Sequence, residues 1–240
     1  MKYFFLTLSL LSFSSCKPST DLHRSVLDEG PTIKTGLPFY DGADLTPKWP
    51  SRGVVAAPAF HKVQPFQFLD QDGRKVTAQT FDKKIYVANF FFTSCGGICP
   101  RMIENMRMIQ DEFEDDASVV LLSHSVTPEV DTVSALKSYA EVKGVKDDRW
   151  YLATGRRAAI YKTARQSYFA DSAPSFGRGK NDFLHTEKFF LVDKERRIRG
   201  VYNGTRLMDI RRLIVDIRTL QRAYGSDGSP VGPSVAVAAR

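Results

Sequence analysis

From residue 65 onward the chain switches repeatedly between two hydrophobic periods. Short alternating or continuous apolar stretches give way to longer ones repeating every three and four residues, and the period separates strand from helix. Residues 65–76 alternate across Phe66, Phe68 and Val76 and read as a β-hairpin turning at Asp72-Gly73. Residues 85–92 are continuously apolar except for Asn89, the pattern of a central strand buried on both faces. Residues 118–126 predict a second such strand. Between them, Met102, Ile103, Met106, Ile109 and Phe113 form a helical stripe, and Pro100 suits its first turn. A helix over 133–142 has Asp131 or Thr132 as its cap and Gly144 as its stop. Residues 150–152 predict a short strand, and 156–168 a helix turning Ile160 and Ala164 inward. A second hairpin pairs 188–192 with 198–202 across Asp193-Lys194-Glu195. The last helix, 207–224, has Thr205 as its cap and buries Leu207, Ile210, Ile214, Ile217 and Leu220.

Both ends of the chain lack this patterning. Met1 to Ser15 has one early charge, Lys2, then an apolar stretch ending in Ser14 and Ser15 directly before Cys16. This is a secretory signal layout, too short for a membrane span. A Cys straight after small residues resembles a bacterial lipobox, although Phe13 stands where Leu is usual. Residues 1–16 therefore read as a lipoprotein signal ending at a lipidated Cys16, which puts the rest in an oxidising, extracytoplasmic compartment on the periplasmic side. An uncleaved anchor is the alternative. Residues 17–60, rich in Pro, Gly, Asp and Ser, read as a flexible tether, with aromatic islands at Leu37-Pro38-Phe39-Tyr40 and Trp49-Pro50 that can pack on the domain. Residues 61–225 are the folded domain, and 226–240 a disordered tail. The formal net charge is +7. An exported chain meets little nucleic acid, so the charge suits solubility, an anionic membrane or an acidic partner.

The candidate chemistry lies where the first long strand meets the first long helix. There the chain reads Thr93-Ser94-Cys95-Gly96-Gly97-Ile98-Cys99-Pro100, holding two of its three cysteines. Residues four apart on a helix share a face. Such a pair can close as a disulfide or hold one soft metal ion, Cu(I) being well suited to thiolates. A helix N-terminus also favours the thiolate. The alternative is a pair of small apolar core residues. The order β-β-β-α-β-α-β-α-β-β-α with this motif predicts an α/β, thioredoxin-like fold: a mixed central sheet flanked by helices, with an N-terminal β-hairpin.

Five segments in order resemble the Sco family (also SenC or PrrC), copper-binding assembly proteins of cytochrome c oxidase. They are Phe90 through Pro100, Ser125 through Thr132, Trp150 through Gly155, His185-Thr186 before Phe189 through Asp193, and Gly200 through Thr205. The resemblance implies copper, as Cu(I) or Cu(II), held by Cys95, Cys99 and His185, with His185 reaching the cysteines from the loop before a strand. It also implies a metallochaperone rather than an enzyme in the strict sense. Its partners would be the copper-site subunit of the oxidase, other copper chaperones or thiol reductants, and the membrane through its lipid anchor. Gly96-Gly97 departs from the family's usual Pro-Asp and removes a carboxylate beside the thiols.

Two other functions use the same residues. In a thiol-disulfide oxidoreductase, Cys95 and Cys99 form a redox-active pair, Cys95 attacking and Cys99 resolving. The four-residue spacing and the lack of a proline before residue 188 argue mildly against that. A thiol peroxidase leaves the second Cys and His185 without a purpose. His124, at the end of a predicted buried strand, is either a core residue with a hydrogen-bond partner or a further ligand. His23 and His61 read as solvent-facing, and Met102 and Met106 as core.

Overall fold

The computed structural model describes Met1 and residues 36–49, 60–170 and 186–224. Gly36–Arg240 forms one compact unit, distinct from Met1–Thr35. The predicted element order holds: β1 (Gln67–Leu69), β2 (Lys75–Thr77), β3 (Ile85–Phe91), α1 (Cys99–Glu112), β4 (Val119–Ser125), α2 (Val133–Lys143), β5 (Trp150–Ala153), α3 (Arg157–Gln166), β6 (Lys188–Val192), β7 (Ile198–Asn203) and α4 (Leu207–Ala223). A 3-10 turn, Ala78–Phe81, follows β2.

The main sheet has the order β5-β4-β3-β6-β7. β3, β4 and β5 are parallel, β6 runs antiparallel to β3, and β7 runs antiparallel to β6. β3 and β4 are buried along their whole length, which is why β3 and the first four residues of β4, Val119 to Leu122, are nearly continuous apolar runs. Asn89 interrupts the first, and its buried amide has no hydrogen-bond partner among the described residues.

Alternate side chains of each strand enter opposite halves of the core. One half packs Val87 and Phe91 of β3 against α1, α2 and α4. The other packs Tyr86, Ala88 and Phe90 against the hairpin and α3. The hairpin turns where expected: Asp70 Oδ1 accepts from Asp72 N at 2.9 Å and Arg74 N at 2.8 Å, and Gly73 takes φ +75°. Gln71 then ties this turn to β5, accepting from Leu152 N at 2.8 Å.

Part of the stretch read as tether packs on this unit. Phe39 is buried, stacks on Phe60 at 4.1 Å and lies 3.9 Å from the Arg199 guanidinium. Arg199 also donates to Leu37 O and Pro38 O at 2.7 and 2.9 Å. Burying an aromatic ring on a guanidinium, with its backbone carbonyls satisfied, outweighs the lack of regular patterning.

Two details of α4 differ from the prediction. Thr205 does not cap it; its hydroxyl turns to Asn203 Oδ1 at 2.7 Å, and Arg206 takes the cap position without a side-chain bond. Leu207 is exposed while Leu213 is buried. At 100° per residue, Ile210, Leu213, Ile217 and Leu220 share the inward arc, and Leu207 falls at its edge. The predicted tail, 226–240, lies outside the described residues.

Candidate functional site

β3 delivers the chain to a loop that ends at α1, and the two cysteines occupy that junction. Cys99 is the first residue of α1, with Pro100 beside it at the helix start. Cys95 is not helical. It sits in the preceding loop, its N–H directed to Phe92 O at 3.4 Å. The loop folds Cys95 back over the N-terminus of α1, so loop closure brings the sulfurs together rather than the shared helix face that spacing suggested. Both cysteines are free thiols; Cys95 is partly exposed and Cys99 is buried.

Their environments push the two thiols apart. Burial opposes ionisation of Cys95, but a hydrogen bond from the Cys99 thiol and the N–H groups of Cys99, Gly97 and Ile98 outweigh it and lower its pKa. These amides are the unpaired donors of a helix start, aimed at the site of negative charge. Cys99 moves the other way: burial first, then its bond to Cys95, push it up to about 12. The pair is thus built as one accessible thiolate and one buried proton holder.

Beneath the loop lies a carboxylate that sequence reading placed as a helix cap. Asp131 is fully buried. It accepts from Thr93 Oγ1 at 2.5 Å, Ser125 Oγ at 2.6 Å and Thr127 Oγ1 at 3.1 Å, and from Thr93 N at 3.3 Å. Thr132 is the actual cap of α2, accepting from Ala135 N at 3.3 Å. Asp131 therefore locks the start of the cysteine loop to the end of β4, and its charge helps raise Cys99. Tyr139 of α2 completes this wall, its ring 5.8 Å from Phe91 and its phenol pushed up by burial and by the Cys99 charge. Neither role was legible beforehand, because both depend on α2 packing over the loop. The two glycines are not sterically required. A Cβ at Gly96 meets nothing within 4 Å, and one at Gly97 meets only Cys95 Sγ at 3.9 Å.

Cys16, His23 and His185 lie outside the described residues. The chain just after His185 is held near α1: Glu187 O accepts from Gly204 N at 2.6 Å, and Gly204 O accepts from Asn105 Nδ2 at 2.7 Å. Among the described residues, no three His, Cys, Asp or Glu side chains form a metal-holding group. His124 is removed from the site. It is buried on the hairpin face of β4, between Phe66, Phe68, Phe90 and Tyr168, so it cannot face the cysteines. It also lacks the hydrogen-bond partner expected of a core histidine, among the described residues. His61 is not solvent-facing either; it is half-buried, with Nε2 2.9 Å from Ser167 O and its ring against Phe169. Met102 and Met106 are buried in the core, as expected.

The family profile described as SCO1/SenC matches residues 55–222. The chain belongs to this family. It is 29% identical over 167 residues to the SCO1 protein homolog of Bacillus subtilis, covering 69% of this chain and 86% of that one. A solved structure of BsSco, described as a member of the Sco family of cytochrome c oxidase assembly proteins with a disulfide switch, has 29% identity and a TM-score of 0.57. It covers 69% of this chain and 96% of its own. A SCO1/SenC family lipoprotein of Bacillus anthracis matches at 27% identity and a TM-score of 0.59, over 67% of this chain and 95% of its own. The copper-bound ScoI of Bradyrhizobium japonicum matches at 25% identity and a TM-score of 0.53, over 66% and 99%. The sheet order, the helices on both faces and the N-terminal hairpin are thus those of a thioredoxin-like Sco domain. No helix among the described residues is long and apolar enough to cross a membrane.

Proposed function

We propose that this protein is an extracytoplasmic copper metallochaperone, delivering copper to the binuclear copper site of cytochrome c oxidase. The observation that carries the reading is the Cys95–Cys99 pair: two sulfurs at a helix start, one accessible and biased towards thiolate. Two thiolates suit Cu(I), and an imidazole from His185 would complete the set and accommodate Cu(II). The copper-bound Bradyrhizobium relative and the family's link to oxidase assembly support this reading.

The chain's own residues would act as follows. The amides of Gly97, Ile98 and Cys99 hold the Cys95 thiolate ready to take up the ion. Cys99 must lose its proton on metal binding, so apparent affinity rises with pH. Asp131 keeps the loop in register through Thr93 while the ligands exchange. Cys95 is the sulfur an incoming acceptor thiolate reaches first. Copper is the cargo, and lipidated Cys16 would hold the domain at the membrane.

The same asymmetry favours a second reading, thiol-disulfide exchange. The Cys95 thiolate would attack one sulfur of a partner disulfide and release the other as a thiolate. Cys99, once deprotonated, would attack Cys95 and release the second thiolate, leaving Cys95–Cys99 oxidised by two electrons.

The test is a Cu(I) titration of the reduced chain from Lys17 onward against a competing chelator. Tight one-to-one binding, abolished in Cys95→Ser and Cys99→Ser and weakened in His185→Ala, is the expected result. Absence of tight binding by the unaltered chain would overturn the copper reading and leave exchange with a small disulfide as the activity to measure.

A further inference from the structure

α4 has a second stripe that the core does not use. Met208, Arg211, Val215, Arg218 and Arg222 follow one another at steps of three and four, so they line one face. That face points away from the buried stripe of Ile210, Leu213, Ile217 and Leu220. Met208 is 70% and Val215 55% exposed, and all three arginines are exposed. Large apolar side chains set between arginines are an unusual way to solvate a helix.

The acids of α4 leave this face uncompensated. Its two carboxylates are turned inward: Asp209 accepts from Asn203 N at 2.8 Å and Asp216 from Tyr202 Oη at 2.7 Å. Arg218 pairs with Glu112 at one edge. Arg211 and Arg222 have no acidic partner among the described residues. The surface is therefore a strip about 21 Å long from Met208 to Arg222, given 1.5 Å per residue, with cationic side chains flanking exposed apolar ones.

The chain enters the folded unit beside this strip. Gly36 opens the compact unit, and the Leu37 and Pro38 carbonyls are held by Arg199. Two residues later, Tyr40 pairs with Ile198, and its phenol feels the charges of Arg212 and Asp216 on α4. The first described residues of the folded unit thus lie beside α4.

We propose that the outer face of α4 is a peripheral docking surface for an anionic phospholipid bilayer, with Arg211 and Arg222 on headgroup phosphates and Met208 and Val215 dipping between them. Guanidinium groups match phosphate oxygens in geometry and charge. A basic face carrying exposed apolar side chains is the chemistry of an interfacial helix. Docking through this strip orients the domain on the membrane independently of any lipid on Cys16 and of the copper reading. It places the α4 axis along the surface, with the cysteine loop at the end from which α4 begins.

The test is vesicle co-flotation of the chain from Lys17 onward, which lacks residues 1–16 and Cys16 with them. Phosphatidylglycerol-rich vesicles should bind it and pure phosphatidylcholine vesicles should not, and high salt should weaken binding. Reversing both charges, Arg211→Glu with Arg222→Glu, should lower binding by about 25-fold or more, since each basic residue at an anionic surface is worth roughly a factor of five. Met208→Ser with Val215→Ser should weaken it while leaving the salt dependence intact. Arg156→Glu with Lys162→Glu, exposed residues at the start and middle of α3, keep the same net charge change and should leave binding unaltered. No binding to the anionic vesicles would overturn the proposal. So would equal losses in the α4 and α3 charge reversals, which would reduce the effect to net charge. All the substitutions are at exposed positions, and near-ultraviolet circular dichroism verifies the fold of each variant.

Discussion

Replacing His124 by Phe should remove a pH-dependent share of stability that this single imidazole controls. Both of its ring nitrogens are buried without a partner among the described residues. The rings of Phe66, Phe68, Phe90 and Tyr168 surround it, with centroids 5.8, 5.5, 5.0 and 5.6 Å away. Of these only Tyr168 titrates, and burial keeps its phenol neutral by pushing its pKa well up. Nothing there compensates a positive charge, so burial depresses the His124 pKa from 6.5 to about 3. Between those two values the unfolded chain binds a proton that the folded domain refuses. Stability is therefore fully present above pH 6.5 and falls as the pH drops towards 3. Near pH 5 the gap to the unfolded value is about 1.5 pH units, which at about 1.36 kcal/mol each gives a loss of about 2 kcal/mol. Urea unfolding of the metal-free, reduced chain near pH 8 and near pH 5 measures it. The unaltered protein should lose about 2 kcal/mol more than His124→Phe across that step. All other titrating groups are common to both proteins and cancel. At the higher pH the variant should be at least as stable, because an unpaired buried imidazole is gone. His124→Leu alongside controls for the larger ring. Equal losses within about 0.5 kcal/mol would refute the reasoning and mean that the imidazole is solvated or paired in the folded state.

Asp131→Ala should cost about 3 kcal/mol in urea unfolding, because it strands the buried hydroxyl of Ser125 and the partly buried hydroxyls of Thr93 and Thr127. It should also move the alkylation profile of Cys99 to lower pH, since the Asp131 charge is one of the causes holding that thiol near 12; an unchanged profile would separate Asp131 from the thiols. Gly97→Asp has room for its Cβ but sets a carboxylate beside Cys95 Sγ. It should raise the Cys95 pKa and slow iodoacetamide alkylation at neutral pH by about tenfold per pH unit, whereas Gly96→Ala, which meets nothing, should change neither rate nor stability. Phe39→Ala should lose about 3 kcal/mol and expose residues 36–49 to limited proteolysis, since its ring is buried on Phe60 and Arg199. Continued resistance to protease would show that the segment is held by its backbone bonds alone.

Periodicity carried the order of elements, because each strand and helix had to bury a face and the required residue types recur at period two or near 3.6. β3 and β4 were legible as central strands since burial on both faces favours apolar runs, broken here by Asn89 in β3 and by Ser123, His124 and Ser125 at the end of β4. The cysteine pair was legible as a site because two thiols at a strand-to-helix junction meet the donors of a helix start. The functions of single polar residues were decided only in three dimensions. Asp131 lies next to a good cap in sequence, and only the packing of the β4–α2 connection over the Thr93 loop turns it inward. His124 and Ser125 are neighbours on one strand, yet alternation sends Ser125 to the cysteine side and His124 into the aromatic cluster behind the sheet. The contrast between the two thiols is likewise tertiary. Cys95 and Cys99 are the same residue type, and only the fold of the intervening loop leaves one over the amides of α1 and sinks the other in the core. Sequence could specify which residues must be buried somewhere. What each buried polar atom faces is set by the assembled sheet and helices, because hydrogen bonds and desolvation act over distances that only the folded chain defines.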